Sequence, residues 1–202
     1  MKDFLLDTSR AENILAGYSN IWLDPDYKLI TSLTSTGSGG YGTTYAIPKD
    51  SDPLDFIEIK VEEGGEKYIR HRPRAALESF VLAIEGDRSP LSYLQAAIAY
   101  QNINEYGSQW HYVSWGRDII LPTSITDEHM EKYRWDMLRE EPETFQPHFY
   151  YDAADNPTIT FYTINDIVYV ELKEYVCTFD EDNYRGKIKI NIIAEAGMGI
   201  IF

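Results

Sequence analysis

The C-terminal third of the chain constrains the fold most. Between residues 148 and 194, β-branched and aromatic residues alternate with polar ones at period two, and short Asn- and Asp-rich clusters interrupt the pattern. Residues 149–151, 158–163, 167–178 and 187–194 read as strands. Asn165-Asp166 and Asp180-Glu181-Asp182-Asn183 read as the turns that join the last three, because Asn and Asp tolerate turn conformations and bond to nearby backbone. The expected unit is an antiparallel β-meander.

Upstream, the signals are mixed. Ser9 with Glu12 three residues later fits a capping box, so a short helix is expected to end near Gly17. Residues 21–23 and 29–33 flank the turn-forming Asp24-Pro25-Asp26, and 44–47 and 54–61 continue as strands. Pro73 followed by Ala76, Leu77, Phe80, Val81 and Ile84 predicts a second helix. Ser89-Pro90 opens a third, with Leu91, Leu94, Ala97, Ile98 and Ile103 on its apolar face. Residues 126–141, with Met130, Tyr133, Met137 and Leu138 on one stripe, predict a fourth, stopped by Pro142. The expectation is an α+β fold of antiparallel sheets with about four helices. No repeat and no long linker is present, which favours one compact domain over residues 1–202, with a seam conceivable near 107–109 or 142–147.

With 202 residues and 28 aromatic side chains among 44% hydrophobic residues, the chain has enough apolar material for a core, which argues against disorder. The formal net charge is −15. A phosphate backbone is bound by neutralising it with Lys and Arg, so general nucleic-acid binding is disfavoured, whereas basic partners are attracted and steered. No apolar run approaches the ~20 residues of a membrane span, and the first residues lack the apolar core of a secretory signal. The single cysteine, Cys177, allows no internal disulfide. These features predict a cytoplasmic protein with no membrane partner.

The catalytic and ligand motifs are weak. Gly37-Ser38-Gly39-Gly40-Tyr41-Gly42 has the G-x-G-x-x-G spacing, but β-branched residues and Pro48 follow where a dinucleotide site needs a helix, so a hairpin loop is expected. It also resembles the glycine-rich loop of protein kinases, with Tyr45 to Lys49 in place of the strand that carries their lysine. The likeness stops at Pro48, at His71-Arg72-Pro73 and at Asp55-Phe56-Ile57, where the kinase catalytic motifs are not completed. The four histidines, His71, His111, His129 and His148, are scattered, and Asp180 to Gly186 misses the calcium-loop pattern at Tyr184 and Arg185. No metal and no cofactor is expected. Cys177 sits late in an apolar strand and reads as a small buried hydrophobe with a raised thiol pKa. Lys67, Arg70, His71, Arg72 and Arg74 form a basic cluster. It can be an anion site at the start of a helix beginning at Pro73, or a counterweight to Glu62, Glu63 and Glu66, and the second reading is preferred.

The most informative stretch is acidic. From Asp136 to Asp182 there are twelve acids against Arg139 and Lys173, which places −10 of the −15 in 47 residues that are also rich in Tyr and Phe. Aromatic anchors surrounded by charge give interfaces affinity and steering, although alternating aromatics also simply pack a sheet. The candidate partner-binding residues are Glu140, Glu141, Glu143, Tyr150, Tyr151, Asp152, Asp155, Asp180, Glu181, Asp182 and Tyr184. In size, acidity and lack of catalytic signatures the whole chain resembles bacterial toxin-immunity proteins. That likeness implies an inhibitor that masks a basic, nuclease-type toxin by presenting carboxylates and aromatics in place of phosphates and bases. The alternative is a hydrolase or carbohydrate-binding protein using carboxylates with His111 or His148 near Trp110 and Trp115.

Overall fold

In a computed structural model of the chain the C-terminal strands pair as the alternation requires. The structure describes residues 5–36, 39–63, 66–110, 113, 115–116, 118–121, 133–166 and 169–199. These divide into two compact units, Met1–Val113 with Asn183–Arg185, and Ser114–Asp182 with Gly186–Phe202.

The first unit is built on β1 (Leu5–Asp7), β3 (Tyr27–Thr36), β4 (Gly39–Pro48) and β8 (Gln109–Trp110), hydrogen-bonded in the order β1-β3-β4-β8. Two-stranded ribbons are added by β2 (Ile21–Leu23) with β7 (Ile84–Gly86), and by β5 (Phe56–Glu63) with β6 (Glu66–Pro73). Leu29, Ile30, Ala46 and Ile47 are fully buried along the β3–β4 hairpin. Gly39 to Gly42 continue β4 as a strand, so no helix follows the glycine-rich motif; Gly37 and Ser38 lie outside the described residues.

This unit holds two α-helices, α1 (Arg10–Leu15) and α2 (Pro90–Glu105). The capping box at α1 does not form. Asp7 accepts from the Ser9 and Arg10 amides instead, and Glu12 accepts from the Leu29 amide at 2.9 Å. At α2 the Ser89 hydroxyl accepts from the Ser92 amide and Pro90 occupies the first turn, as the sequence predicts. Its buried stripe is Ser92, Tyr93, Ala96, Ala97, Ala99 and Ile103, while Leu91 is 48% exposed. The alanines let the helix backbone approach its neighbours closely, so the packing face sits beside the one that large residues indicate.

The expectation of about four helices is overturned. The chain is mostly β, 49% strand against 15% helical, and only one described helix is long. The segment expected to be helical from Pro73 is instead the end of β6, a turn, a short 3-10 turn over Phe80–Ala83 and β7. Tertiary backbone bonding decides this: the Leu77 amide donates to the Ala46 carbonyl of β4, and the Arg72 guanidinium donates to the carbonyls of Ala76 and Leu77. The apolar spacing is real, but it serves burial of Phe80, Val81, Ala83 and Ile84 from a single 3-10 turn and a strand instead of an α-helix. Of the fourth expected helix, residues 126–132 lie outside the described residues. Residues 133–141 are extended or irregular, with β10 (Asp136–Met137) paired to a later strand and Met137 and Leu138 exposed.

The second unit is one antiparallel sheet. β9 (Ile119–Ile120) and β11 (His148–Tyr151) both pair with β12 (Pro157–Asn165), followed in order by β13 (Tyr169–Phe179), β14 (Gly186–Met198) and β10. One face buries Tyr162, Ile164, Val170, Leu172, Ile193 and Ala194 under Leu121 and Phe145. On the other, Phe161 stacks on Tyr175 with centroids 5.0 Å apart, and Trp115 meets both rings edge-on. Each such aromatic pair adds about 1 kcal/mol beyond area burial. Cys177 is fully buried here, and burial pushes its thiol pKa up to about 12.

Candidate partner-binding surface

Register decides which of the candidate residues share a place. Thr158 pairs with Thr178, and Thr178 with Lys187, so the β11–β12 and β13–β14 turns emerge from the same end of the second unit's sheet, on neighbouring strands. That end carries Asp152, Asp155, Asp180, Glu181 and Asp182, all in the second unit. All but the half-buried Asp152 are exposed. Lys187 and Lys189 stand one and three residues in from the same end, on β14.

The β11–β12 turn is preorganised. The Asp152 carboxylate accepts from the amides of Ala154 and Asn156 at 2.8 and 2.9 Å, and the Asn156 side chain donates to its second oxygen. These bonds, the one from the Asn156 amide most of all, hold the Asp152 pKa below the ordinary carboxylate value. Asp155 adopts φ 61°, a left-handed conformation that Asp accepts more readily than most residues. A turn whose carboxylate is already fixed loses less entropy when a cation binds.

The other candidates divide. Glu140, Glu141 and Glu143 are exposed, but on the segment that leaves β10. There the Leu138 and Arg139 amides bond to the Ile193 carbonyl, six residues or roughly 20 Å along β14 from Lys187. Phe145 then anchors that segment in the core against Tyr162. Tyr150 and Tyr151 are 38% and 60% exposed, yet successive strand residues project to opposite faces. Tyr150 stacks on His148 on one face, and Tyr151 meets Phe149 edge-on on the other, so they do not form a joint anchor.

Tyr184 is a correction to the surface reading. It is 5% exposed, belongs to the first unit, donates to Ser92 Oγ at 2.8 Å and accepts from the Arg88 amide at 3.0 Å. An aromatic in an acidic turn reads as an anchor from sequence, but burying its ring against Tyr93 makes it a core residue. Two further acids of the stretch are also committed internally: Glu171 pairs with Lys173 at 3.3 Å, and Glu174 accepts from Tyr162 and Asn191. Sequence reading missed Asp118, whose buried carboxylate accepts from Tyr175 at 2.6 Å and faces Lys173 at 3.6 Å. Its only signal is an acid three residues after a tryptophan.

Of the residues of the alternative site, only His148 and Trp115 have described side chains. His111 lies outside the described residues, His148 is an exposed edge-strand residue and Trp115 is buried. No group of three metal-ligating residues occurs among those described, and no helix there is long and apolar enough to cross a membrane. No family model matches this chain, and no curated protein or solved structure matches it.

Proposed function

We propose that the turn end of the second unit's sheet binds a basic protein, and that binding masks a cationic surface of that partner. The supporting observation is the register that brings five carboxylates to neighbouring turns, one of them locked by its own backbone bonds. Carboxylates spaced over neighbouring turns mimic the spaced anions of a phosphate backbone, so an enzyme that holds nucleic acid in a cationic groove is the kind of partner this end fits. An immunity protein against a nuclease-type toxin is the narrowest form of this reading.

Affinity capture from native lysate tests it. Wild-type protein should retain a basic protein that elutes as salt rises, and a variant carrying Asp152→Asn, Asp155→Lys, Asp180→Lys and Asp182→Lys should lose it. Capture that is indifferent to those changes, or retention of no basic protein, refutes the reading.

A further inference from the structure

Alternation along β6 puts Lys67 and His71 on one face and Arg70 and Arg72 on the other, and Arg74 lies just past the end of the strand. Lys67 pairs with Glu62 at 3.5 Å and Arg74 with Asp55 at 3.3 Å, and His71 stands 3.9 Å from Glu58. Arg70 and Arg72 are in register with Ile59 and Ile57 of β5. Both line a cavity of about 250 Å³, together with Tyr45 of β4, Ser79, and Tyr100 and Asn104 of α2. No helix starts at Pro73, so the cations are collected by strands and not by a helix terminus.

The cavity wall mixes polar and apolar side chains and carries two cations, Arg70 and Arg72, against one acid, Glu78, in a protein of net charge −15. Glu78 is held by Arg185 through two contacts of 3.0 and 3.3 Å. Arg72 is fixed at the wall by its bonds to the Ala76 and Leu77 carbonyls. Tyr45 is only 8% exposed, and its hydroxyl is buried without a well-formed hydrogen bond. Burial raises its pKa although the charges of Arg70 and Arg72, and the nearby Thr43 side chain, oppose the rise; the phenol therefore remains a proton donor facing two guanidinium groups.

We propose that this cavity binds the phosphate group of a small ligand, with Arg70 and Arg72 as the cationic clamp and the Tyr45 hydroxyl as a neutral donor. A single guanidinium satisfies a carboxylate bidentately, whereas two guanidiniums and a hydroxyl match the larger charge and additional acceptors of a phosphate. The volume lies below the ~300–1,000 Å³ of sites for drug-sized ligands, which limits the ligand to inorganic phosphate or a small phosphate ester. Tyr100, stacked on Phe80 with centroids 5.9 Å apart, offers a ring at the rim to a planar ester group. The site shares no residue with the acidic turns, so either assignment can fail alone.

The test is titration of isotope-labelled full-length protein with inorganic phosphate, phenyl phosphate and benzoate at matched ionic strength, following the Tyr45, Arg70, Ser79 and Asn104 amides. Phosphate or phenyl phosphate should give saturable shifts. Tyr45→Phe should weaken binding about tenfold, as loss of a hydrogen bond to a charged group does, and Arg70→Gln should weaken it further. Saturation by inorganic phosphate and phenyl phosphate alike identifies the phosphate group itself as the determinant, and tighter binding of phenyl phosphate assigns an ester with Tyr100 as its platform. No saturation by either, equal binding of benzoate, or affinity unchanged in Tyr45→Phe overturns the proposal. Tyr45→Phe removes one oxygen from a packed ring, so it decides the matter even if Arg70→Gln misfolds.

Discussion

At the scale of single residues, buried polar contacts within each unit are the most exposed to test. Tyr184 Oη both donates to Ser92 and accepts from the Arg88 amide, and Gly86 lies so close to that hydroxyl and to Asn20 that a Cβ would fall 2.6 Å from the Asn20 carbonyl oxygen. Tyr184→Phe is therefore expected to cost about 1–2 kcal/mol in urea unfolding, since it removes the bond donated to Ser92 Oγ and the one accepted from the Arg88 amide. Asp7 gives a pH signature. Its pKa is lowered to about 2, chiefly by the Arg10 amide, then by the Ser9 amide and the Tyr106 hydroxyl. A carboxylate depressed in the folded state stabilises fully above its ordinary pKa of 3.8, and the contribution disappears as pH falls through about 2. Asp7 is half-buried, so screening by the solvent that reaches it holds the effect to about 1 kcal/mol. The stability difference between wild type and Asp7→Asn should shrink as pH falls from 4 through about 2; a difference undiminished at pH 2 would count against this assignment.

At the scale of elements, what the sequence makes legible follows from what local chemistry can dictate. The meander is legible because β12, β13 and β14 alternate without ambiguity and Asp- and Asn-rich turns separate them. The α2 start is legible because a Ser-Pro cap is a local device. The segment after Pro73 is not, because its conformation rests on a bond from Leu77 to Ala46, a residue on another strand, and apolar spacing alone does not distinguish helix from buried irregular backbone. The β11–β12 turn belongs to the legible class and carries its own test. Asp152→Asn should keep the amide bonds to Ala154 and Asn156 through the side-chain carbonyl, whereas Asp152→Ala should expose those amides to faster hydrogen exchange. Equal exchange in the Asn and Ala variants would show that the carboxylate does not organise the turn.

At the scale of the molecule, the acidic stretch that reads as one wall in sequence becomes three populations. Glu171 and Glu174 are engaged within the sheet, Glu140, Glu141 and Glu143 ride on the segment after β10, and Asp152, Asp155, Asp180, Glu181 and Asp182 share one end. Counting charge along the chain finds the excess but not this partition, because only strand register says which turns are neighbours. The same blindness hides the opposite sign in the first unit, where Arg70 and Arg72 of the basic cluster line a cavity. On the proposed function the sheet end, and not net acidity, recognises a cationic partner. Stopped-flow association with the basic protein retained in the capture experiment, measured across ionic strength, compares charge reversal at Asp155, Asp180 and Asp182 with reversal at Glu140, Glu141 and Glu143. Both triplets change net charge by the same amount. The first triplet is expected to slow association at low salt at least tenfold more than the second, with the difference vanishing as salt screens it, and equal slowing by the two triplets overturns the proposed function.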